Sequence, residues 1–344
     1  MSSYCPASFP LGPIVSLRSR LLLFSAFIIA TQGGANAAPT LAESVKQADA
    51  RYLAAPDIPS SDSAPKIEAG DGNDDTAAAP REIAQGPIRA VLSYTEEKSG
   101  GGEGEDDEPV RVPVVTVFVG DTDVATLKGE GSGFADPPVS VQIAELDGSN
   151  PYPEIVVSFY TGGAHCCSDT SVITASPDGS NWTIVALGEF DGEPLLATDV
   201  NGDGRYEFMI RDNAFLYAFA CYACSEAPLN LLAIDNGNVK DVTREERFKS
   251  AHAAWLKTMI ANVPDGSDVN GFLAGYVGEK ILLGEGKSAW DTMLAHYDHA
   301  SDWGLEICDK PLNDDGECSG ATVRLTFPQA LERMLNENGY KIED

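Results

Sequence analysis

The residues of this chain best suited to chemistry form one short run, Asp199-Val-Asn201-Gly-Asp203-Gly-Arg205-Tyr-Glu207. Acidic or amide oxygens fall at positions 1, 3, 5 and 9 of the run, with Gly204 at position 6. Calcium takes six to eight oxygens, and a loop of this spacing can wrap one hard cation. Asp199, Asn201, Asp203 and Glu207 would supply side-chain oxygens and Arg205 its carbonyl. Gly204 permits the tight turn that brings the oxygens inward. An EF-hand needs a glutamate at position 12, where this chain has Ile210. The residues that follow, Phe208-Met209-Ile210, read as a strand. The expectation is a calcium loop feeding a β-strand, and the competing reading is an Asp/Gly-rich hairpin turn with no metal.

Other groupings are weaker. Gly162-Gly-Ala-His165-Cys166-Cys167 places an imidazole beside thiols. A nucleophile needs its base within hydrogen-bond reach in space, which adjacency in the chain does not provide. Cys221-Tyr-Ala-Cys224 has redox spacing but lies among strand and turn residues. A reactive pair usually sits at the start of a helix that lowers a thiol pKa, so a structural bridge is expected. His252, His296 and His299 fall in helical sequence and lack the three or four convergent ligands of a zinc site. Carboxylates are too numerous for any pair to stand out as catalytic.

Composition narrows the partners. The chain has 344 residues, a net charge of -30 and a pI near 4.3. Nucleic acid is excluded as a partner, because its phosphates need a basic face. At the N-terminus Arg18 and Arg20 precede the apolar run 21–30, and Ala35-Asn36-Ala37 offers a cleavage site before Ala38. The apolar run is too short to span a bilayer. Residues 1–37 therefore read as a signal peptide, with no stable membrane insertion after cleavage and a periplasmic or secreted product. Cys5 leaves with the signal. The six cysteines that remain suggest disulfides in an oxidising compartment. Cys308 with Cys318 is the simplest pairing, and one or two bridges are expected between Cys166/Cys167 and Cys221/Cys224.

The elements that must position the loop follow from periodicity. Thr40-Leu-Ala-Glu43 is a capping-box pattern opening a short helix over 41–54, and 56–81 reads as a disordered linker within a segment 38–81. Residues 82–243 carry short β-rich runs separated by Gly, Pro and Asp, among them 215–219, with an acidic insert at 99–108. The segment Glu145 to Val157 resembles the opening loop and its strand about 53 residues earlier, an internal repeat. From Thr243-Arg-Glu-Glu246, another capping-box pattern, the spacing turns helical and predicts four helices within 244–344. The fold class is α+β and multidomain, a β-rich domain followed by a small helical domain.

The loop Asp199 to Glu207 with its strand resembles the FG-GAP and VCBS repeats of secreted, integrin α-like proteins. The segment Tyr160 to Cys167 is similar to a feature of bacterial members. The resemblance covers roughly 140–243 and implies propeller-blade-like sheets with calcium held by Asp199, Asn201, Asp203, Arg205 and Glu207. Asn201 and Glu207 depart from the more usual Asp while keeping an oxygen. Glu145, Asp147 and Ser149 match poorly. The functional expectation is an exported calcium-binding protein with a structural role or a protein or glycan partner, with no catalysis assigned. The alternative is an exported hydrolase whose site lies between the β and helical domains.

Overall fold

The computed structural model describes residues 38–70, 80–98, 109–131, 136–162, 167–192, 194–266, 268–310, 313 and 318–342. The signal peptide, the acidic insert, His165 and Cys166 lie outside the described residues. In chain order the elements are α1 (Leu41–Ala48), β1 (Lys66–Ala69), β2 (Arg81–Gln85), β3 (Ile88–Lys98), β4 (Pro109–Val119), β5 (Thr122–Lys128), β6 (Val139–Ala144), β7 (Glu154–Tyr160), β8 (Ser168–Ala175), β9 (Trp182–Phe190), β10 (Ala197–Thr198), β11 (Glu207–Arg211), β12 (Leu229–Asp235) and β13 (Asn238–Asp241). There follow α2 (Lys249–Ala261), α3 (Val269–Leu282), α4 (Gly286–His296), the hairpin β14 (Glu306–Cys308) and β15 (Thr322–Arg324), and α5 (Phe327–Glu337).

The β region consists of three antiparallel sheets, ordered β2-β3-β4-β5, β1-β6-β7-β8-β9 and β10-β11-β12-β13. Among the described residues no pairing joins the first and last strand of any of these sheets. The first sheet packs on one face of the second through Leu92, Val115, Val141, Ile143, Ile155 and Val157. All of β6 is buried, because the opposite face of its sheet meets the third sheet through Val156, Val172, Phe208 and Ile234. That seam also carries a polar bridge. The Gln142 side chain donates to Ala197 O at 2.9 Å and accepts from Ala197 N at 2.8 Å, imitating a strand pairing and fixing β10 just before the Asp199 loop.

The repeat is visible as two four-stranded meanders, β6 to β9 and β10 to β13. Asn236 and Gly237, with φ of 51° and 69°, close the last hairpin, as an Asn-Gly turn of type I′ requires. The capping box at Thr40 and Glu43 forms. The stretch expected as a linker differs, since Lys66–Ala69 pairs with β6 and Ile67 is buried in the core. Further contacts hold the same stretch, with Asp57 accepting from Lys257 Nζ at 2.7 Å and Ser63 Oγ 2.7 Å from the Tyr206 hydroxyl. Residues 71–79 lie outside the described residues.

Two other expectations are corrected. Residues 215–219 form no strand. Asp212 accepts from Ala214 N at 3.0 Å and starts a 3₁₀ turn, while Phe215 and Phe219 turn into the helical core. Thr243 caps no helix, because its hydroxyl accepts from Leu231 N at 2.9 Å. The expected helices are α2 to α5, with Thr326 and Gln329 forming the capping box of α5. The β and helical regions belong to one unit, Pro39–Asp344. Gly275 of α3 allows this closeness: a methyl group there would lie 2.3 Å from Glu226 O.

Candidate functional site

β10 and β11 pair antiparallel, Thr198 opposite Glu207, so the loop between them must reverse the chain sharply. It does so with its own side chains. Asp199 Oδ1 accepts from Gly202 N at 2.8 Å and Asp203 N at 3.1 Å, and its Oδ2 accepts from Gly204 N at 3.0 Å. Asp203 Oδ1 accepts from Arg205 N at 2.9 Å. Gly202 and Gly204 hold φ of 76° and 86°, values that side chains with a Cβ resist. The turn is thus built before any ion is considered.

The sequence missed a second component. Arg247, from the 3₁₀ turn leading into α2, donates to Asp203 Oδ2 at 3.1 Å and lies 3.5 Å from Glu207 Oε1. Glu207 is 1% exposed. Burial pushes its carboxyl up to about 7, against the opposing pull of Val200 N–H and the Arg247 guanidinium. Partial burial also raises Asp203, but the Asn201 amide, Arg205 N–H and Arg247 outweigh it and hold its carboxyl below the ordinary value. The loop is therefore tied to the helical region by one guanidinium, which Asp203 and Glu207 share with Glu245, 2.9 Å from Arg247 Nε. Among the described residues no group of three His, Cys, Asp or Glu side chains is gathered as a metal centre.

The first loop follows the same plan with other atoms. Glu154, at the start of β7 as Glu207 is at the start of β11, accepts from Leu146 N at 2.8 Å and Asp147 N at 2.9 Å. Its other oxygen accepts from Asn150 Nδ2 at 2.7 Å and Thr174 Oγ1 at 3.1 Å. Asp147 accepts from Ser149 N and from Gly237 N, at 2.9 and 2.7 Å. The loops touch, with Tyr206 N donating to Glu145 O at 2.9 Å. A methyl group on Gly148 would lie 2.0 Å from Arg205 Nη2. Beside them a cleft of about 240 Å³ brings Glu207, Asp235, Arg205, Lys240 and Arg247 to its walls. Its carboxylates have partners: Glu207 faces Arg247 at 3.5 Å, and Asp235 accepts from Asn236 Nδ2 at 2.7 Å. The cleft sets three cations, Arg205, Lys240 and Arg247, against two carboxylates, Glu207 and Asp235.

The described cysteines are oxidised. Cys308 bonds Cys318, as expected. Cys221 bonds Cys224 within its own turn, so these two form no bridge between the repeats. Cys167 is also disulfide-bonded. Of the helical histidines, His296 Nε2 meets Ser44 Oγ at 2.9 Å and His299 packs on the Tyr297 ring at 3.9 Å. His252 is buried on Glu279, with Nδ1 to Oε1 2.8 Å.

Residues 250–339, which span α2 to α5, match the family described as the sll0997 C-terminal domain. The chain is also 39% identical over 278 residues to the probable thylakoid lumen protein sll0997 of Synechocystis, covering 80% of this chain and 79% of that protein. The chain belongs to the sll0997 family. A second relative, the uncharacterized protein y4bJ of Sinorhizobium fredii, is 34% identical over 218 residues, 62% of this chain and 34% of that longer protein. No solved structure matches. These matches overturn the FG-GAP and VCBS resemblance. Asx turns at alternate positions are local chemistry that any tight hairpin can use, and they do not mark that family. The protein is exported, as its N-terminal residues predict, and its sll0997 relative is described as a lumen protein. No helix among the described residues is long and apolar enough to cross a membrane.

Proposed function

We propose that the protein is an exported calcium-binding member of the sll0997 family with a structural or partner-binding role and no catalysis. The ion would be taken by Asp199, Asn201, Asp203, the carbonyl of Arg205 and Glu207. One observation carries this reading: the buried Glu207 and the loop carboxylate of Asp203 share a single guanidinium, with Arg247 3.5 and 3.1 Å away. Calcium bound there would compete with Arg247 for the same oxygens. Ion binding would thereby be linked to the contact between the loop and the helical region. Extracellular calcium modules often bind at about 10⁻⁴ to 10⁻³ M, and a hundredfold excess over that constant adds about 2.7 kcal/mol to the folded state.

The test is thermal unfolding of the oxidised chain from Ala38 onward, in millimolar calcium and in chelator. Calcium is expected to raise the melting temperature of the parent and to have no effect on Asp203→Ala. Arg247→Met should bind calcium more tightly than the parent, because the competing cation is gone. Equal melting of the parent with and without calcium rejects the proposal and leaves Arg247 as the loop's resident cation.

A further inference from the structure

The geometry points to a phosphate-binding site in the cavity between the start of α2, the α3–α4 turn and the residues after α5, a site independent of the calcium reading. The cavity holds about 570 Å³, within the range of small-molecule sites. It shares no lining residue with the cleft beside the Asp199 loop. Arg244, Lys249 and Lys341 stand on its walls against one carboxylate, Glu246, and Ile281 and Leu282 supply an apolar part. The whole chain has 23 basic and 53 acidic residues. Three cations to one acid reverse that ratio locally.

Folding leaves these cations available. Lys249 lies 2.7 Å from Glu246, with both side chains exposed, a pair of the kind that adds little to stability. Arg244 and Lys341 pair with no carboxylate among the described residues. Arg244 is nevertheless held in place. Its Nη2 donates to Gly339 O at 3.2 Å, and its guanidinium lies 5.2 Å from the centre of the Tyr340 ring. That ring is itself fixed, because Tyr340 is buried and its hydroxyl donates to Asp212 Oδ2 at 2.7 Å. The Nε and Nη1 donors of Arg244 have no acceptor among the described residues. On the wall formed by the α3–α4 turn, Gly284 at φ 78° has open space where a side chain would begin.

The class of ligand follows from the charge and size of the cavity. Three cations against one carboxylate leave a surplus of two positive charges. A phosphate monoester carries about −1.5 to −2 charges at neutral pH and offers three strong acceptor oxygens, which matches both the surplus and the number of cations. A monocarboxylate would leave half of the surplus unmatched. The guanidinium fork suits phosphate oxygens taken in pairs. A long polyanion would meet the acidic surface beyond the cavity, since the chain carries a net charge of -30. The cavity has room for more than the phosphate, and Ile281 and Leu282 offer contact to a carbon skeleton. The fitting ligand is a small phosphate monoester.

Isothermal titration of the oxidised chain from Ala38 onward, in calcium-free buffer, tests the site with glucose 6-phosphate and glycerol 3-phosphate, and with glucose and glycerol as neutral controls. Saturable binding of at least one ester and of neither control is expected. Arg244→Gln and Lys341→Gln should each weaken binding by about tenfold. Lys341→Gln should do so at an unchanged melting temperature, which separates loss of charge from loss of fold. Lys128→Gln, on β5 and outside the cavity, should bind as the wild type does. A lipid source of the same phosphate would show as cosedimentation with phosphatidylcholine vesicles containing phosphatidic acid, abolished by Lys341→Gln, and would support the site equally. Absence of both kinds of binding at millimolar phosphate, unchanged binding by both cavity variants, or equal weakening by Lys128→Gln overturns the inference.

Discussion

Replacing Asp49 by alanine tests how the N-terminal segment is held to the helical region. Asp49 is fully buried at the end of α1 and pairs with Lys280, whose side chain is 2% exposed. It also accepts from the Tyr276 hydroxyl at 2.6 Å. Lys280 has a second partner in Glu285, which in turn receives Arg51 and Tyr52. Removing one member of a buried pair costs about 3–5 kcal/mol, because the remaining charge stays desolvated. Glu285 retains part of the compensation for Lys280, which places Asp49→Ala near the lower end, about 3 kcal/mol. For a chain of this size roughly 2 °C are lost per kcal/mol, so the melting temperature should fall by roughly 6 °C. Hydrogen exchange should show α1 losing protection before the β sheets do. The double replacement Asp49→Leu with Lys280→Met should recover most of the loss, since an apolar pair of similar volume removes the desolvation cost. Unchanged melting and unchanged α1 protection in Asp49→Ala would refute the reasoning.

Other expectations follow from contacts of the same kind. Burial pulls the His252 imidazole down, but the Glu279 carboxylate outweighs it and the group titrates above its ordinary value; burial pushes Glu279 up. The pair therefore holds its shared proton more firmly in the folded state. The imidazole's contribution is complete below about pH 6.5 and is lost as pH rises through its folded value, while that of Glu279 already declines above about pH 4.3. Melting curves from pH 6 to 9 should decline, and His252→Gln should flatten that decline while lowering stability by about 3 kcal/mol. Gly275→Ala should cost about 1–3 kcal/mol, since its methyl group meets the Glu226 backbone; an unchanged denaturation midpoint would show that α3 can move away. Gln142→Leu removes both hydrogen bonds to Ala197 and should cost about 2 kcal/mol, because Ala197 N–H and C=O are left buried without partners; urea denaturation measures it.

Much of the architecture was readable because its signals were local. The capping box at Thr40 and Glu43 announced α1, and the helical spacing after Thr243 announced α2 to α5. The errors came where a distant group captured a local signal. Thr243 has the sequence of a helix cap, yet Leu231 N–H takes its hydroxyl. Phe215 and Phe219 alternate as in a strand, yet both anchor in the helical core. The loop at Asp199 was legible as a turn, but Arg247 was not, since no periodicity relates it to Asp203. The family resemblance failed for a related reason, having been read from one turn with its strand and one short segment.

One signal was present and went unread. α3 is buried on almost every side, yet it contains the adjacent charges Glu279 and Lys280. An all-round apolar helix has no preferred face and could rotate against its neighbours. Charges in such a helix require buried partners, which was predictable from composition even though their identity was not. The partners lie in different directions. Glu279 accepts from Leu229 N of β12 at 2.9 Å and meets His252 of α2 at 2.8 Å, whereas Lys280 pairs with Asp49 beyond α1. Neighbours on a helix point about 100° apart, so no single rotation of α3 keeps both charges paired except the native one. The same contacts join the sheet that carries the Asp199 loop to the N-terminal segment. The two buried charges of α3 thereby hold it to β12, to α2 and to the N-terminal segment at once.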